Sequence, residues 1–384
     1  MAELPAPKKI KLSGPLIGTH NGQFHADEAL AVYLLRKLPD YASSPLVRTR
    51  DPAVLATCHT VVDVGGEYNP EANRYDHHQR SFSTVFPGQK TKLSSAGLVY
   101  MHFGEAIISN YMKVPQDHQD VHTVYNKLYS TFIEAIDAND NGIPCYNPDD
   151  LAAAGIEKRF HESSITVPAL VRDMNMPNPD APSSEPQDED SLFARASNFM
   201  GETFDRKLRW TVLSWLPARA VMQTAYSARF DVHPSGRIIV LPEGGVPWKE
   251  HLYSLEEDYG KSATAPDESA KEDGKAPYDP KKATAAEVFY VLYPESKDPT
   301  SRWRVQAAST PASAFESRLP LKESWRGVRD DALDSLMAEE AEQKGAERIP
   351  AGAVFVHASG FIGGHATREG AMAMAVKSLE ELDA

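Results

Sequence analysis

At 384 residues the chain is long enough for two ordinary domains, each with its own core. A formal net charge of −14 excludes a protein that coats nucleic acid through a broadly basic surface, though not an enzyme that grips a few phosphates in a cleft. The two cysteines, Cys58 and Cys145, fit neither a disulfide framework nor a metal spacing, which points to a reducing, intracellular setting, and no apolar run approaches the roughly 20 residues of a membrane span.

Residues 1–14 read as a flexible tail without the apolar core of a secretion signal. "PKKIKL" within it is a weak nuclear-import signal or simply a basic tail. "PLIGTH" then reads as a buried strand, and "DEALAVYLLRKL" as a helix. Leu30, Leu34 and Leu38 repeat every four residues, and Asp27 and Glu28 suit the first turn, where the helix dipole favours acids. "PLVRTR" is a strand. "DPAVLAT" is a short helix with Asp51 as its cap and Pro52 at its first position. "TVVDVGG" is a β-branched strand ended by glycines, and "RYDHH" is another strand end. "SSAGLVYMHFGEAIISNYM" is a helix capped by Ser94 or Ser95. This βαβ rhythm predicts a parallel sheet with flanking helices.

In "HQDVHTVYNKLYSTFIEAIDAND", Val121, Val124, Leu128, Phe132 and Ile136 trace one helical face, so the helix delivers Asp137 at its C-terminal end. Residues 174–190 are rich in proline, serine and acid and read as a mobile loop, with a long connecting helix after it. From residue 229 the texture changes to strands ("GRIIVL", "EVFYVLYP", "RWRVQAA", "AVFVHASG") and a closing helix, with a low-complexity insert at about 257–283 that reads as disordered. The expected architecture is α/β: a parallel-sheet domain over 15–228, followed by a smaller mixed α+β substrate-binding domain over 229–384.

Four polar clusters fall at the carboxyl ends of expected strands, or on a helix end that can reach that edge, where ligand sites of open parallel sheets form. They are His20, His25 and Asp27; Asp63; Asp76, His77 and His78; and Asp137. Imidazole and carboxylate without thiolate suit Mn²⁺, Mg²⁺, Zn²⁺ or Fe²⁺. Two ions about 3.5–4 Å apart need a bridging carboxylate, and Asp63 on a central strand is placed for that role. Such a pair brings the pKa of shared water to roughly 7, giving a hydroxide for in-line attack on phosphorus. Each piece has a plainer reading. Asp27 and Glu28 would complement a helix dipole, Asp63 would start a turn, "DHH" would end an exposed strand, and "DANDNG" would be a helix exit. All four being plain at once is the harder case to sustain.

At these residues the chain resembles the DHH phosphoesterase superfamily, whose name motif stands in "YDHHQ", with "HNGQFHADE", "VVDVGG" and "DANDNG" in the places of its other metal motifs. The usual first motif, His-x₃-Asp-x-Asp, here reads His20-x₄-His25-x-Asp27. With "KLSSAGLVY" and "ASGFIGGHATREGA", this departure resembles the melanocyte proliferating gene 1 family across nearly the whole chain. The resemblance implies one ion on His20, His25 and Asp63, and another on Asp27, Asp63, His77 and Asp137. It implies His78 facing the substrate phosphate and Asp76 orienting a ligand. In the second domain it implies substrate contacts from Gly363, Gly364, His365 and Arg368. Arg326, Trp325 (stacking on a base, or core) and Lys249 are further candidates.

The activity implied is a two-metal 3′–5′ exoribonuclease, with Mn²⁺ foremost and Mg²⁺ as the alternative, acting on single-stranded RNA or a short oligonucleotide. A small-molecule phosphohydrolase and a non-catalytic regulatory protein that keeps the fold are the rivals. No membrane is involved; protein partners are left open, a homodimer among them. The resemblance places the protein in nucleus or mitochondrion, with the cytoplasm left open.

Overall fold

Five short runs in the first half of the chain, the first three apolar or β-branched, pair into one sheet: β1 (Ile17–Thr19), β2 (Leu46–Arg48), β3 (Thr60–Val62), β4 (Tyr68–Asn69) and β5 (Arg74–Tyr75), in the order β2-β1-β3-β5-β4. The first four strands of that order run parallel, and β4 closes the edge antiparallel to β5. In register, Ile17 lies opposite Leu46 on one side and Thr60 on the other. The computed structural model describes residues 14–157, 159–160, 164–182, 184–263, 278–311 and 313–382, and divides into two units, Met1–Val212 and Leu213–Ala384.

The helices of the first unit are α1 (Ala26–Arg36), α2 (Pro52–Leu55), α3 (Ser95–Met112), α4 (Gln119–Leu128), α5 (Glu134–Asp140), α6 (Pro148–Ala153), α7 (Val167–Asp173) and α8 (Glu189–Trp210). Asp51 caps α2, its carboxylate accepting from the Ala53 N–H at 2.8 Å. α1 is not the one-faced helix that its leucine spacing suggests. It packs against α3 and α8, and also touches α5 and α7, so Leu30, Val32, Leu34 and Leu35 are all buried. Close approach to α8 is possible because Gly201 lies under the Tyr33 ring, where a Cβ would sit 2.2 Å from its carbons. The single helix expected over 118–140 is two helices, α4 and α5, joined by a π-helical turn at Tyr129–Ile133.

The acidic stretch 174–190 carries defined contacts where a mobile loop was expected. Asn175 exchanges hydrogen bonds with the Phe24 backbone at 2.9 and 3.0 Å, Gln187 accepts from Asn178 N–H at 2.9 Å, and Glu185 pairs with Arg195. The two units part within the helical run after α8, at Val212/Leu213, whereas the sequence texture changes at residue 229.

The second unit comprises α9 (Leu216–Ser227), α10 (Arg229–Val232), β6 (Ile238–Val240), α11 (Lys249–Ala263), β7 (Tyr290–Pro294), β8 (Trp303–Ala307), a small hairpin β9 (Ser309–Thr310)/β10 (Ser313–Ser317), α12 (Asp330–Lys344), β11 (Ala353–Val356), β12 (Ile362–His365) and α13 (Arg368–Leu379). Its main sheet has the order β11-β12-β8-β7-β6, with only β6 and β7 parallel. Successive strand residues point to opposite faces. Accordingly, Leu292 and Val305 pack with Leu333 and Met374 on one side, while Ile239 and Val291 pack with Met222 and Leu252 on the other. The insert expected to be disordered is in part ordered: α11 continues to Ala263, and Pro280–Lys282 form a 3₁₀ turn capped by Asp279. Residues 264–277 lie outside the described residues.

Candidate metal centre

The chain leaves β1 outward to β2 and returns past it to β3, so the carboxyl ends of β1 and β3 flank the point where strand order reverses. His20 follows β1 and Asp63 follows β3. Asp63 has φ 59°, a left-handed conformation that Asp tolerates better than most residues. This turn brings its carboxylate between two imidazoles: Oδ2 lies 3.3 Å from His20 Nε2, and Oδ1 lies 3.2 Å from His77 Nε2. Each imidazole meets a second carboxylate. Glu28 Oε1 is 3.0 Å from His20 Nε2, and Asp140 Oδ2 is 3.1 Å from His77 Nε2. His25 caps α1 beside Asp27, and His25, Asp27 and Asp140 bring ligand atoms within 4.8 Å of one another. His20, His25, Glu28 and Asp63 do the same. The cavity over these groups is about 1070 Å³, walled by His25, Asp27, Asp63, His77, His78 and Asp140. Among the described residues, Lys92 and Arg172 are the lysine and arginine on its wall.

The donor set fits divalent metal. Separations of 3.0 to 3.3 Å between His20 Nε2, Glu28, Asp63, His77 Nε2 and Asp140 are those that neighbouring ligands keep around one ion about 2.1 Å from each. These contacts are close but poorly aimed as hydrogen bonds. Asp27 Oδ1, Glu28 Oε2, Asp63 Oδ1 and His77 Nε2 are buried and have no hydrogen-bond partner, a costly state for polar atoms unless something else meets them. Without an ion, protons would carry the compensating charge. Burial works against a charge on His20, yet Asp63 and Glu28 outweigh it and push the imidazole up to about 10. His77, opposed in the same way, is held at about 9 by Asp140 and Asp63. Burial likewise opposes ionisation of Asp63, and the two imidazoles bring it down to about 2. Asp27 is pushed well above the ordinary carboxylate range by burial, then by Asp63, Asp140 and Glu28.

One expected ligand lies elsewhere. Asp137 sits on the core-facing stripe of α5, and both its oxygens are already engaged. Oδ1 accepts from Ser94 N–H (3.0 Å), Ser94 Oγ (2.7 Å) and Gly97 N–H (3.0 Å), and Oδ2 accepts from the Tyr129 hydroxyl (2.9 Å). It is fully buried behind the cavity and anchors the start of α3. Asp140, at the last residue of α5, reaches the sheet edge in its place. Both belong to "DAND", and spacing alone does not separate them. Glu28 does not stand out in the sequence for a similar reason, because an acid in a first helical turn explains itself.

Asp76 holds its neighbours in place. Oδ2 accepts from Gly66 N–H at 2.6 Å, and Oδ1 accepts from His78 N–H (3.1 Å) and from His78 Nδ1 (2.7 Å). The His78 side chain is 62% exposed and borders the cavity.

The candidates in the second unit divide. Gly363 and Gly364 are inside β12, paired on both sides, rather than in a loop open to phosphate. A Cβ on Gly363 would meet Leu321 at 2.9 Å, and one on Gly364 would meet Arg304 at 2.6 Å. His365 is fully buried: Nε2 lies 2.9 Å from Pro350 O, and Nδ1 accepts from Thr367 N–H at 3.0 Å. Trp325 is core, 2% exposed, its indole N–H donating to Glu340 at 3.0 Å, and is not a free stacking surface. Arg326 donates from Nε to Leu321 O at 2.8 Å. Arg368 and Lys249 are exposed at the starts of α13 and α11.

Comparison with known proteins agrees along the whole chain. Residues 16–379 match the model of the uncharacterised protein family UPF0160, MYG1_exonuc. MYG1 exonuclease of Mus musculus is 44% identical over 98% of this chain and 87% of its own length, and MYG1 exonuclease of Homo sapiens is 43% identical over 98% and 90%. MYG1 protein YER156C of Saccharomyces cerevisiae is 38% identical over 97% and 98%. A crystal structure of exonuclease RecJ bound to manganese aligns over 96% of this chain and 90% of that one, at 12% identity and a TM-score of 0.23. At that score the likeness transfers neither fold detail nor chemistry. The match to the family model and the full-length identity to these relatives show that the chain belongs to the MYG1 (UPF0160) family.

Proposed function

We propose that this protein is a metal-dependent exonuclease that hydrolyses single-stranded RNA from its 3′ end with two divalent ions, Mn²⁺ foremost. The carrying observation is the disposition of Asp63, whose two oxygens face separate imidazole–carboxylate sets. His20, His25 and Asp63 would hold one ion; Asp27, Asp63, His77 and Asp140 would hold the other. Bound there, two such ions supply Lewis-acid charge to a scissile phosphate and make water acidic enough to be a nucleophile near neutral pH. Asp76 keeps the His78 Nδ1–H turned toward itself, leaving the other ring nitrogen for the substrate. Asp76 also raises the proton affinity of His78 above the ordinary imidazole value, against burial, so that nitrogen is suited to donate to a phosphate oxygen. Lys92 and Arg172 on the cavity wall are placed to hold neighbouring phosphates. Two wall cations suit a phosphodiester better than pyrophosphate, which calls for denser positive charge. The relatives named exonucleases support the reaction class.

The test is parallel incubation of purified protein with 5′-labelled RNA, pyrophosphate and a dinucleotide, with Mn²⁺ or EDTA, alongside Asp63→Ala. A ladder shortening from the 3′ end, lost in EDTA and in Asp63→Ala, is expected. A ladder that survives either treatment removes the metal mechanism, and cleavage of pyrophosphate alone removes the RNA substrate.

A further inference from the structure

Glu28 has two roles open to it. As the third residue of α1 it closes a capping box, Oε1 accepting from His25 N–H at 2.8 Å. That role needs one oxygen and no burial, and exposed capping carboxylates fulfil it. Here the residue is 0% exposed, Oε1 also lies 3.0 Å from His20 Nε2, and Oε2 is buried without a hydrogen-bond partner. Its ligand atom lies within 4.8 Å of those of His20, His25 and Asp63. A carboxylate enclosed in this way, with an oxygen unmet, is arranged for a cation rather than for a cap alone.

Charge points the same way. Two divalent ions bring four positive charges. Ligating imidazoles are neutral, and Asp27, Asp63 and Asp140 supply three negative charges, while Asp76 is occupied with His78 and Gly66. Glu28 is the fourth carboxylate that balances the site.

Resting on the two-ion reading above, we propose that Glu28 is a direct ligand of the ion held by His20, His25 and Asp63, so that the start of α1 and the metal are fixed by one side chain. Glu28→Gln separates the roles, since glutamine still closes a capping box but carries no charge. Mn²⁺ is titrated calorimetrically into chelator-stripped full-length protein. Wild type should take up two ions. Glu28→Gln should bind one of them about tenfold or more weakly, as a ligand-sphere change does, while still folding in EDTA.

A second measurement needs no variant. In wild type carrying ¹³C-carboxyl glutamate, Mn²⁺ should shift a glutamate carboxylate stretch in infrared difference spectra, because every other carboxylate at the site is aspartate. Two ions bound by wild type, with neither the affinity of Glu28→Gln nor the labelled glutamate band altered, overturns the Glu28 assignment alone. Fewer than two ions in wild type overturns the two-ion reading and this inference with it.

Discussion

Asp137 receives four hydrogen bonds and has no surface, and Asp140, one turn further along α5, is partly exposed at the cavity and paired with His77. Burial pushes the Asp137 carboxyl up to about 7, with its four donors pulling the other way. Gly97 belongs to the same arrangement, since a Cβ there would stand 2.4 Å from the Asp137 carboxylate. The two aspartates should therefore fail differently. Asp137→Ala strands buried donors at the start of α3 and should cost about 2–4 kcal/mol of stability, with or without chelator. Asp140→Ala strands no donors in the core; any stability it loses in EDTA should be confined to pH below about 9, where His77 is charged, and it should weaken Mn²⁺ binding by roughly tenfold or more. Chemical denaturation in EDTA and calorimetric Mn²⁺ titration read the two effects separately. If Asp137→Ala keeps its stability and loses metal, the roles are reversed.

At the scale of elements, the short strands β1, β2 and β3 were legible from their β-branched and apolar runs. So were the cap Asp51, the start of α3 at Ser94 or Ser95, and the gathering of histidine and aspartate at strand ends. What sequence could not supply was tertiary. A two-residue strand has no room for periodicity, so the antiparallel edge strand β4 shows only through its pairing with β5. The all-round burial of α1 depends on α3 and α8, whose positions are not local information. "GFIGGHATREG" resists reading for the same reason, because Gly363 and Gly364 accommodate Leu321, Arg304 and Phe355 from other segments and the histidine is enclosed by its own helix start. Gly370 makes this testable. A Cβ there would lie 2.0 Å from the His365 ring, so Gly370→Ala should destabilise by about 1–3 kcal/mol. His365→Ala should also destabilise, and the double variant should lose less than the sum, because removing the ring makes room for the new methyl. Urea melts of the three variants give the coupling. A stable His365→Ala with impaired RNA binding would instead return the histidine to a substrate role.

For the molecule as a whole, the metal centre ties stability to pH and to chelation. His20 at about 10 and His77 at about 9 both stand above the ordinary imidazole value of about 6.5. A group with a raised folded value stabilises fully below its unfolded value and loses that contribution as pH rises through the folded one. In the ion-free protein the two imidazoliums therefore hold the carboxylates together at pH 6, and that support fades toward pH 9–10. Ions require neutral imidazoles, so at pH 7 they must displace these protons, and affinity should climb by about tenfold per pH unit for each proton displaced. Each tenfold adds about 1.4 kcal/mol of ligand-linked stability at fixed excess metal. The gap between melting temperatures in Mn²⁺ and in EDTA should accordingly widen from pH 6 to pH 8.5. Calorimetry at pH 7 in buffers of different ionisation enthalpy should show protons released on binding. A gap that stays constant or narrows, or metal uptake without proton release, would mean that His20 and His77 do not meet the ions. His25 and the carboxylates would then have to hold them.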